Sequence, residues 1–414
     1  MTKRFKLRFA SVESMQAAQA LETPNAETVL QNEKRAYVAV EVPEMPAEAK
    51  GAAAIARSIE IAPALRQIAE EYGAEIVEDY QYELDESDDE FAFEETDEPP
   101  SASLLEVTEM INAPSAWTHS TGKGVTIAIV DTGVDGSHPE FPDSKKVGSW
   151  EPPTETSWTD WQGHGTMCAA ISTASDASPD SRYRGVAPDA GLIACKTRFY
   201  DSELGSIYDY LSDKSEELDG PLVASNSFGR KTGTPPPDPG QSDFIDALEG
   251  ALAAGVFVFF SAGNNHQRAG GLPTACDPNS VWLHKGRADV FPVATCDLDH
   301  TMWYYSSRGP GQNFGQVNTS RKPDATAPTP RNGRILYGSS ERVLANGWGT
   351  SGACPQAAGL AALLLSFNPK LSRKGLFDAI RDHAVDIGHG DTCQGHGMID
   401  CGASMDYIRA KLTS

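Results

Sequence analysis

The sequence has no hydrophobic run long enough to cross a membrane. Its most apolar windows, Gly255 to Phe260 and Leu360 to Phe367, have the length of buried core segments, whereas a membrane-spanning helix needs about 18 to 20 apolar residues. The first residues, MTKRFKLRFASVESMQ, are basic and then polar, without the apolar stretch of a signal peptide. We therefore expect no membrane partner and a cytoplasmic location.

Positive charge is also scarce. The chain has 34 Lys and Arg residues against 58 Asp and Glu residues, and its formal net charge is -24. A protein of this charge repels phosphate groups at long range, so we expect no nucleic-acid partner.

Cysteines with metal-ligand spacing are missing as well. The seven cysteines are scattered and none belongs to a C-x-x-C pair, so a structural zinc site is not expected. An odd number leaves at least one thiol unpaired, which suits a reducing compartment. If the protein is exported, the sequence allows two disulfides, Cys276 with Cys296 and Cys393 with Cys401.

Residues 1–84 alternate strand-like and helix-like stretches. Strand patterns occur at Phe5 to Ala10, Thr28 to Gln31, Ala36 to Val42 and Ala74 to Tyr80, and helix patterns at Ser14 to Leu21 and Ala52 to Tyr72. The order βαββαβ predicts a small ferredoxin-like α+β domain.

An acidic segment, residues 85–103, follows this domain. It has nine acidic residues and no basic residue between Asp85 and Pro100. Because like charges repel and the run ends in Pro-Pro, we predict an extended, solvated linker.

Residues 104–414 contain short apolar runs separated by helical or glycine-rich stretches. Such runs occur at Val125 to Val130, Leu192 to Cys195, Val223 to Asn226, Val256 to Ser261 and Phe291 to Ala294. This pattern predicts an α/β domain with a mostly parallel sheet and helices on both faces.

Two motifs of this α/β domain carry an acid and a base. Asp131, in Val130-Asp-Thr-Gly133, ends the first apolar run, and ligand sites of open α/β sheets form at that edge. His164 lies between two glycines in Gln162-Gly-His-Gly-Thr166, and an imidazole can take and return a proton near neutral pH. Alone, each motif also fits a simpler structural role, such as a loop-forming Asp.

Two further motifs supply a hydroxyl and an amide. Gly349-Thr-Ser-Gly-Ala-Cys-Pro355 places Ser351 at the start of an apolar helix, where free backbone N–H groups and the helix dipole favour an oxyanion, although serine also serves as a simple N-cap. Asn264 follows the run Val256 to Ser261, and its side-chain amide can donate to an oxyanion.

Taken in order, these motifs resemble the subtilisin family (subtilases), whose catalytic triad has the chain order Asp, His, Ser. The resemblance extends from Ile111 to Met405 and includes shorter stretches such as Gly185-Val-Ala-Pro188 and Ser306-Ser-Arg-Gly309. It implies a subtilisin-like fold and a serine endopeptidase that acts on peptides or proteins.

The resemblance also implies roles for single residues. Ser351 would be the nucleophile, His164 the general base and acid, and Asp131 the residue that orients His164. Asn264 and the backbone N–H of Ser351 would form the oxyanion hole. The implied substrate-binding strand comprises Ser225, Asn226, Ser227, Phe228 and Gly229, with Phe228 either lining a pocket or filling the core.

The N-terminal domain resembles the propeptide of the family, which assists folding and then inhibits the enzyme. This implies a self-inhibited precursor that cleaves itself within the acidic segment, between Asp85 and Leu105. One motif departs from the family: Gly352 stands where a methionine is usual, which would leave space beside Ser351.

No cofactor is required by this chemistry, and no catalytic metal is expected. The sequence allows calcium as a structural ion, because Glu140 lies near a position where the family uses an acidic ligand. The loop from Ser175 to Arg184 offers Asp176 and Asp180 but also two arginines, so a solvated surface loop is favoured over a calcium site.

Two other functions stay open from the sequence. The same triad could pass the acyl group to an amine, giving a peptide ligase or macrocyclase. A protease scaffold could also serve only as a binding protein, although the complete set of reactive residues argues against this.

Overall fold

A computed structural model describes residues 2–19, 26–43, 63–85, 94–178, 181–230, 242–313, 316–317 and 321–413. Four predictions fall partly outside these residues: the last two residues of the helix expected from Ser14 to Leu21, the first part of the helix expected from Ala52, the acidic segment at 86–93, and Asp180 in the loop considered for calcium. Within the described ranges, no helix is both long and apolar enough to span a bilayer.

The N-terminal unit is the predicted βαββαβ domain. Its elements are β1 (Thr2–Arg8), α1 (Val12–Gln19), β2 (Glu27–Asn32), β3 (Tyr37–Pro43), α2 (Pro63–Tyr72) and β4 (Glu75–Glu78). The antiparallel sheet has the order β2-β3-β1-β4, which confirms the ferredoxin-like arrangement. Alternation along β1 directs Phe5 and Leu7 into the core beneath the helices, which leaves Arg4 and Lys6 on the opposite face.

The larger unit is built on a parallel sheet of seven strands, in the order β15-β12-β11-β9-β6-β8-β7. These strands are β6 (Thr126–Asp131), β7 (Lys146–Trp150), β8 (Gly191–Lys196), β9 (Leu222–Asn226), β11 (Phe257–Ser261), β12 (Phe291–Cys296) and β15 (Ala325–Pro328). The predicted α/β fold with a mostly parallel sheet is therefore confirmed.

Helices cover both faces of this sheet, because successive strand residues point to opposite sides. Ile127 and Ile129 of β6 join one hydrophobic core, whereas Ala128 and Val130 join another. The first core contains α5 (His164–Thr173) and α8 (Gly349–Phe367), and the second contains α6 (Asp201–Glu217) and α7 (Asp243–Ala253). Helix α8 is buried along almost its whole length.

Short elements complete the larger unit. The remaining helices are α3 (Leu104–Met110), α4 (Ala113–Trp117), α9 (Arg373–Arg381), α10 (Asp391–Gln394) and α11 (Cys401–Thr413), with 3-10 turns at Asp143–Lys145 and Leu283–Gly286. The two-stranded pairs are β5 (Glu83–Leu84) with β10 (Phe228–Gly229), β13 (Gln312–Asn313) with β14 (Gln316–Val317), and β16 (Gly333–Tyr337) with β17 (Ser340–Leu344).

The N-terminal unit docks on α6 and α7 through buried ion pairs. Arg4 Nη1 lies 2.7 Å from Glu203 Oε1, and Lys6 Nζ lies 2.7 Å from Asp201 Oδ2 and 2.5 Å from Asp243 Oδ2. These side chains are almost fully buried, so each charge depends on its partner across the interface.

Asp79 adds a second kind of contact to this interface. Its carboxylate accepts hydrogen bonds from the backbone N–H of Ser202 at 3.0 Å and from the Ser202 hydroxyl at 2.6 Å. Ser202 lies in the first turn of α6, so the carboxylate satisfies a helix N–H and faces the positive end of the helix dipole.

One disulfide links Cys276 to Cys393. Both pairings left open by the sequence are therefore wrong, because Cys296 lies inside β12 and Cys401 lies in the main core. Disulfides are typical of oxidising compartments, whereas the odd cysteine count suggested a reducing one, so the cytoplasmic location stays a prediction.

Replacing Lys6 with methionine tests the docking interface. The change leaves the carboxylate of Asp201 buried without its cation, while Asp243 keeps Arg8 at 2.9 Å. We expect a loss of about 3–5 kcal/mol in the free energy of unfolding of the uncleaved chain in urea. Lys3→Met is the matched control, since Lys3 pairs with Glu78 at the surface, where the side chains are 38% and 71% exposed. It should cost at most about 1 kcal/mol; equal losses for the two variants would contradict the interface.

Candidate active site

Asp131 and His164 form a buried hydrogen-bonded pair. Asp131 is the last residue of β6 and His164 is the first residue of α5. Asp131 Oδ1 lies 2.8 Å from His164 Nδ1. Residue 165 must be glycine for this approach, because a Cβ there would collide with the carbonyl oxygen of Gly133.

Asp160 holds the loop in front of α5, a role that sequence reasoning missed. Its carboxylate accepts hydrogen bonds from the backbone N–H of Gly163 at 2.7 Å and of Thr166 at 2.9 Å. It also accepts from the hydroxyl of Thr132, the residue after Asp131, at 2.7 Å. Asp160 thus ties the start of the His164 helix to the end of the Asp131 strand.

The pKa of His164 is raised well above its ordinary value of 6.5. Burial by itself lowers this pKa, because it disfavours the charged ring. The carboxylate of Asp131, which contacts Nδ1, outweighs that effect by favouring the imidazolium. The pair is therefore suited to holding a proton that His164 receives during a reaction.

Ser351 is buried in the first turn of α8. Its Oγ has no hydrogen-bond partner among the described residues. Cys168 connects it to the pair, since Sγ lies 3.8 Å from His164 Nδ1 and 3.5 Å from the carbonyl oxygen of Ser351. Cys168 thus lies between the Asp131–His164 pair and the backbone of Ser351, and the three predicted triad residues come from three separate elements.

Asn264 lies beside Ser351 in the loop after β11. Its Oδ1 accepts hydrogen bonds from Thr350, from the backbone N–H at 3.0 Å and the hydroxyl at 2.8 Å. These bonds fix the amide plane and leave Nδ2 as the donor. Nδ2 donates to the carbonyl oxygen of Asp85.

Residues 80–85 of the same chain run as an extended strand between Phe199 on one side and residues 227–229 on the other. The space between these two edges is called the cleft. On one side, the N–H of Tyr82 donates to the carbonyl of Phe199 at 2.8 Å. On the other side, Glu83–Leu84 pairs antiparallel with Phe228–Gly229, and the N–H of Asp85 donates to the carbonyl of Ser227 at 3.1 Å. The segment is held along both edges, and Asp85 is the residue presented to Asn264.

The predicted substrate-binding strand divides into two parts. Ser225 and Asn226 lie inside β9, where Ser225 Oγ is 3.4 Å from the Cys354 thiol and Asn226 Nδ2 donates to the carbonyl of Phe259 at 2.9 Å. Ser227, Phe228 and Gly229 form the edge that pairs with residues 83–85.

Phe228, for which the sequence left a pocket wall and the core as alternatives, is fully buried. Its ring belongs to the hydrophobic core on the α6–α7 face of the sheet, and it also makes an edge contact with Tyr82, with 6.0 Å between ring centroids. The ring is therefore part of the core and contacts the segment that contains Tyr82.

Comparison with known proteins identifies the family of this chain. The model of the subtilase family matches residues 122–397, which is more than half of the chain. The chain belongs to the subtilase family.

The subtilases similar to this chain include the serine protease AprX of Bacillus subtilis, which is 33% identical over 61% of this chain and 59% of that protein. A calcium-dependent protease of a Nostoc species is 30% identical over 66% and 42%, and thermitase of Thermoactinomyces vulgaris is 28% identical over 72% and 95%. The chain thus spans about three fifths or less of the first two relatives.

A solved structure supports the fold. The crystal structure of MycP1 with the N-terminal propeptide removed has a TM-score of 0.56 and 24% identity, and the match covers 72% of this chain and 96% of that one.

Gly352 differs from the usual subtilase residue for a steric reason. A Cβ at this position would lie 2.5 Å from Trp348 Cβ and 3.2 Å from Thr329 Cγ2. The expectation of free space beside Ser351 is therefore wrong, because Trp348 and Thr329 already occupy that space.

Glu140 and Asp176, two residues considered for a structural calcium ion, both have protein partners. The two carboxylate oxygens of Glu140 accept hydrogen bonds from the backbone N–H groups of Ala177 and Ser178, at 2.9 and 3.0 Å. Asp176 lies 3.7 Å from Arg184. Glu140 thus closes the loop through its own carboxylate.

Titration of His164 tests the electrostatics of this subtilase site. Imidazole NMR of the Ser351→Ala chain should give a midpoint above 6.5, because the Asp131 charge stabilises the imidazolium. Asp131→Asn removes that charge and leaves the effect of burial, so the midpoint should fall below 6.5. Asp135→Asn is the control, since Asp135 accepts from Ser137 instead; it should leave the midpoint unchanged. A His164 midpoint that stays unchanged in the Asp131→Asn variant would contradict the pairing of Asp131 with His164.

Proposed function

We propose that this protein is a serine endopeptidase that hydrolyses peptide bonds with Asp131, His164 and Ser351. The contact that best supports this proposal is the hydrogen bond from Asn264 Nδ2 to the carbonyl oxygen of Asp85. A peptide carbonyl is thereby bound by the side chain that also binds Thr350, the residue before Ser351, and it belongs to an extended backbone paired on both sides.

The reaction follows from these contacts. Ser351 Oγ attacks the carbonyl carbon while His164 Nε2 takes the hydroxyl proton, and Asp131 stabilises the imidazolium through Nδ1. Asn264 donates to the developing oxyanion, with the N–H of Ser351 as the second donor. The C–N bond breaks as the imidazolium protonates the leaving amine, and water then hydrolyses the acyl ester by the same proton transfers in reverse.

The N-terminal unit acts in this proposal as an inhibitory propeptide, residues 1–84. Its strand β4 is followed directly by the segment that fills the cleft, and its buried ion pairs with α6 and α7 hold that segment in place. The carbonyl at the reaction centre belongs to Asp85, so the first cut is expected between Asp85 and Glu86. Residues 85–103 are then the processing segment and residues 104–414 the peptidase domain.

A Ser351→Ala variant tests the activity and the processing together. Incubated wild-type protein should yield a fragment that ends at Asp85 and a new N-terminus at Glu86, while Ser351→Ala should remain full length, as measured by intact mass and N-terminal sequencing. Processed wild-type protein should also be labelled by a fluorophosphonate at Ser351. Fragment masses that sum to the precursor plus one water indicate hydrolysis, whereas transfer to an amine would add no water.

Two results would reject this function. Equal full length of both proteins after incubation would reject self-processing, and an absence of labelling at Ser351 would reject the nucleophile. Gln356→Ala serves as the matched control for labelling, because Gln356 lies five residues further along α8 and donates to the carbonyls of Pro328 and Gly352. It should keep the label.

Metal removal tests the proposal that no calcium is required. EDTA should leave the melting temperature of the protein unchanged, because the carboxylate oxygens of Glu140 already accept two backbone N–H groups. A melting temperature that falls with EDTA and recovers with added calcium, but not magnesium, would show that a calcium site stabilises the fold.

A further inference from the structure

The side chain of Asp85 is almost fully buried in a pocket of opposite charge. Its Oδ2 contacts Lys285 Nζ and the hydroxyl of Ser261. The side chains of Asp85 and Lys285 are each only 3% exposed. In the part of the chain that the structure describes, no other carboxylate forms an ion pair with Lys285.

We propose that Lys285 makes this protein selective for peptides with an acidic residue, aspartate as in its own chain, directly before the cleaved bond. That residue is called P1 and its pocket S1. The inference rests on the proposed peptidase function and names the substrate class of that site.

The bound backbone of Asp85 defines where the P1 residue of any other peptide lies in this site. Asn264 binds its carbonyl oxygen and Ser227 binds its N–H. Any peptide that presents a carbonyl to Ser351 in this register adopts the same backbone path. Its P1 side chain therefore enters the space that Asp85 fills now.

Lys285 is held rigidly in the wall of S1. It belongs to the 3-10 turn Leu283–Gly286, and Leu283 is itself buried. His284 packs among aromatic rings, with centroids 4.5 Å from Phe260 and 4.9 Å from Phe244. Because Leu283 and His284 are anchored in the core, the turn keeps Lys285 at the wall of the pocket.

Gly229 and Ser261 limit the size of the pocket. A Cβ at position 229 would lie 2.7 Å from Asp85 Oδ1 and 3.0 Å from Lys285 Nζ. Ser261 Oγ lies 3.5 Å from Lys285 Nζ, so a hydroxyl and an ammonium group converge on one carboxylate. Two donors in a small buried space recognise a short carboxylate side chain.

Charge decides between candidate P1 residues. An aspartate pairs with the buried ammonium, whereas an asparagine of the same shape leaves the charge without a counterion. A leucine removes the hydrogen bonds as well, and a lysine adds repulsion. Burying an unpaired charge is costly, so we expect kcat/KM for aspartate to exceed that for asparagine on the order of 10²–10³-fold.

The experiment uses the wild-type chain after incubation and acetylated peptides Tyr-Glu-Leu-Xaa-p-nitroanilide, which copy residues 82–84. Xaa is aspartate, glutamate, asparagine, leucine or lysine. The quantity compared is the ratio of kcat/KM for aspartate to that for asparagine, and a fluorophosphonate titration of Ser351 gives the concentration of active enzyme.

Three variants separate the S1 charge from other effects. Lys285→Met should reduce the aspartate-to-asparagine ratio to about one while it keeps the fluorophosphonate label, since the label does not need the S1 charge. Lys285→Glu should favour the lysine peptide. Arg268→Met is the matched control, because Arg268 lies 3.6 Å from Glu83, two residues before P1; it should leave the ratio unchanged.

Two outcomes overturn the selectivity and one overturns the function. A wild-type ratio near one, or a Lys285→Met variant that is labelled and keeps the wild-type ratio, rejects Lys285 as the selecting residue while peptidase activity stands. If Lys285→Met does not fold, the wild-type ratio of kcat/KM for aspartate to that for asparagine still tests the selectivity for an acidic P1 residue. A wild-type protein that is not labelled and cleaves none of the peptides rejects the proposed function instead.

Discussion

The backbone of residues 82–85 is paired along both edges with the larger unit, and every other feature of the site depends on this register. Antiparallel pairing fixes which residue faces which, and a shift by one residue turns each side chain to the opposite face. In the observed register Asn264 donates to the carbonyl of Asp85, and the carboxylate of the same residue meets Lys285. One backbone alignment thus sets both the reactive carbonyl and the side chain that is recognised.

Buried charge pairs strengthen this alignment at two places. Arg4 and Lys6 of the N-terminal unit contribute cations to carboxylates on α6 and α7, whereas Lys285 contributes a cation to the carboxylate of Asp85. Each pair is worth little compared with apolar packing, but separating it leaves an unpaired charge away from water. The arrangement therefore favours one docking position over its neighbours, which suits a segment that must stay in register with Ser351.

Part of this account was predictable from the sequence because local patterns reflect local physics. Alternation in Phe5 to Ala10 predicted β1, and the glycines around His164 predicted a tight helix start. Lys285 gave no such signal, since a 3-10 turn has no periodicity and its partner Asp85 is 200 residues away.

The same limit explains the other omissions and errors. The pairing of Cys276 with Cys393 depends on loops that approach only in the fold, and spacing does not determine it. The space predicted beside Gly352 is filled by Trp348, one helical turn earlier. A crystal structure of the Ser351→Ala chain tests the central alignment most directly. It should place the carbonyl oxygen of Asp85 within hydrogen-bond distance of Asn264 Nδ2 and its carboxylate on Lys285. A cleft occupied by another residue, or a Lys285 directed away from it, would contradict the account.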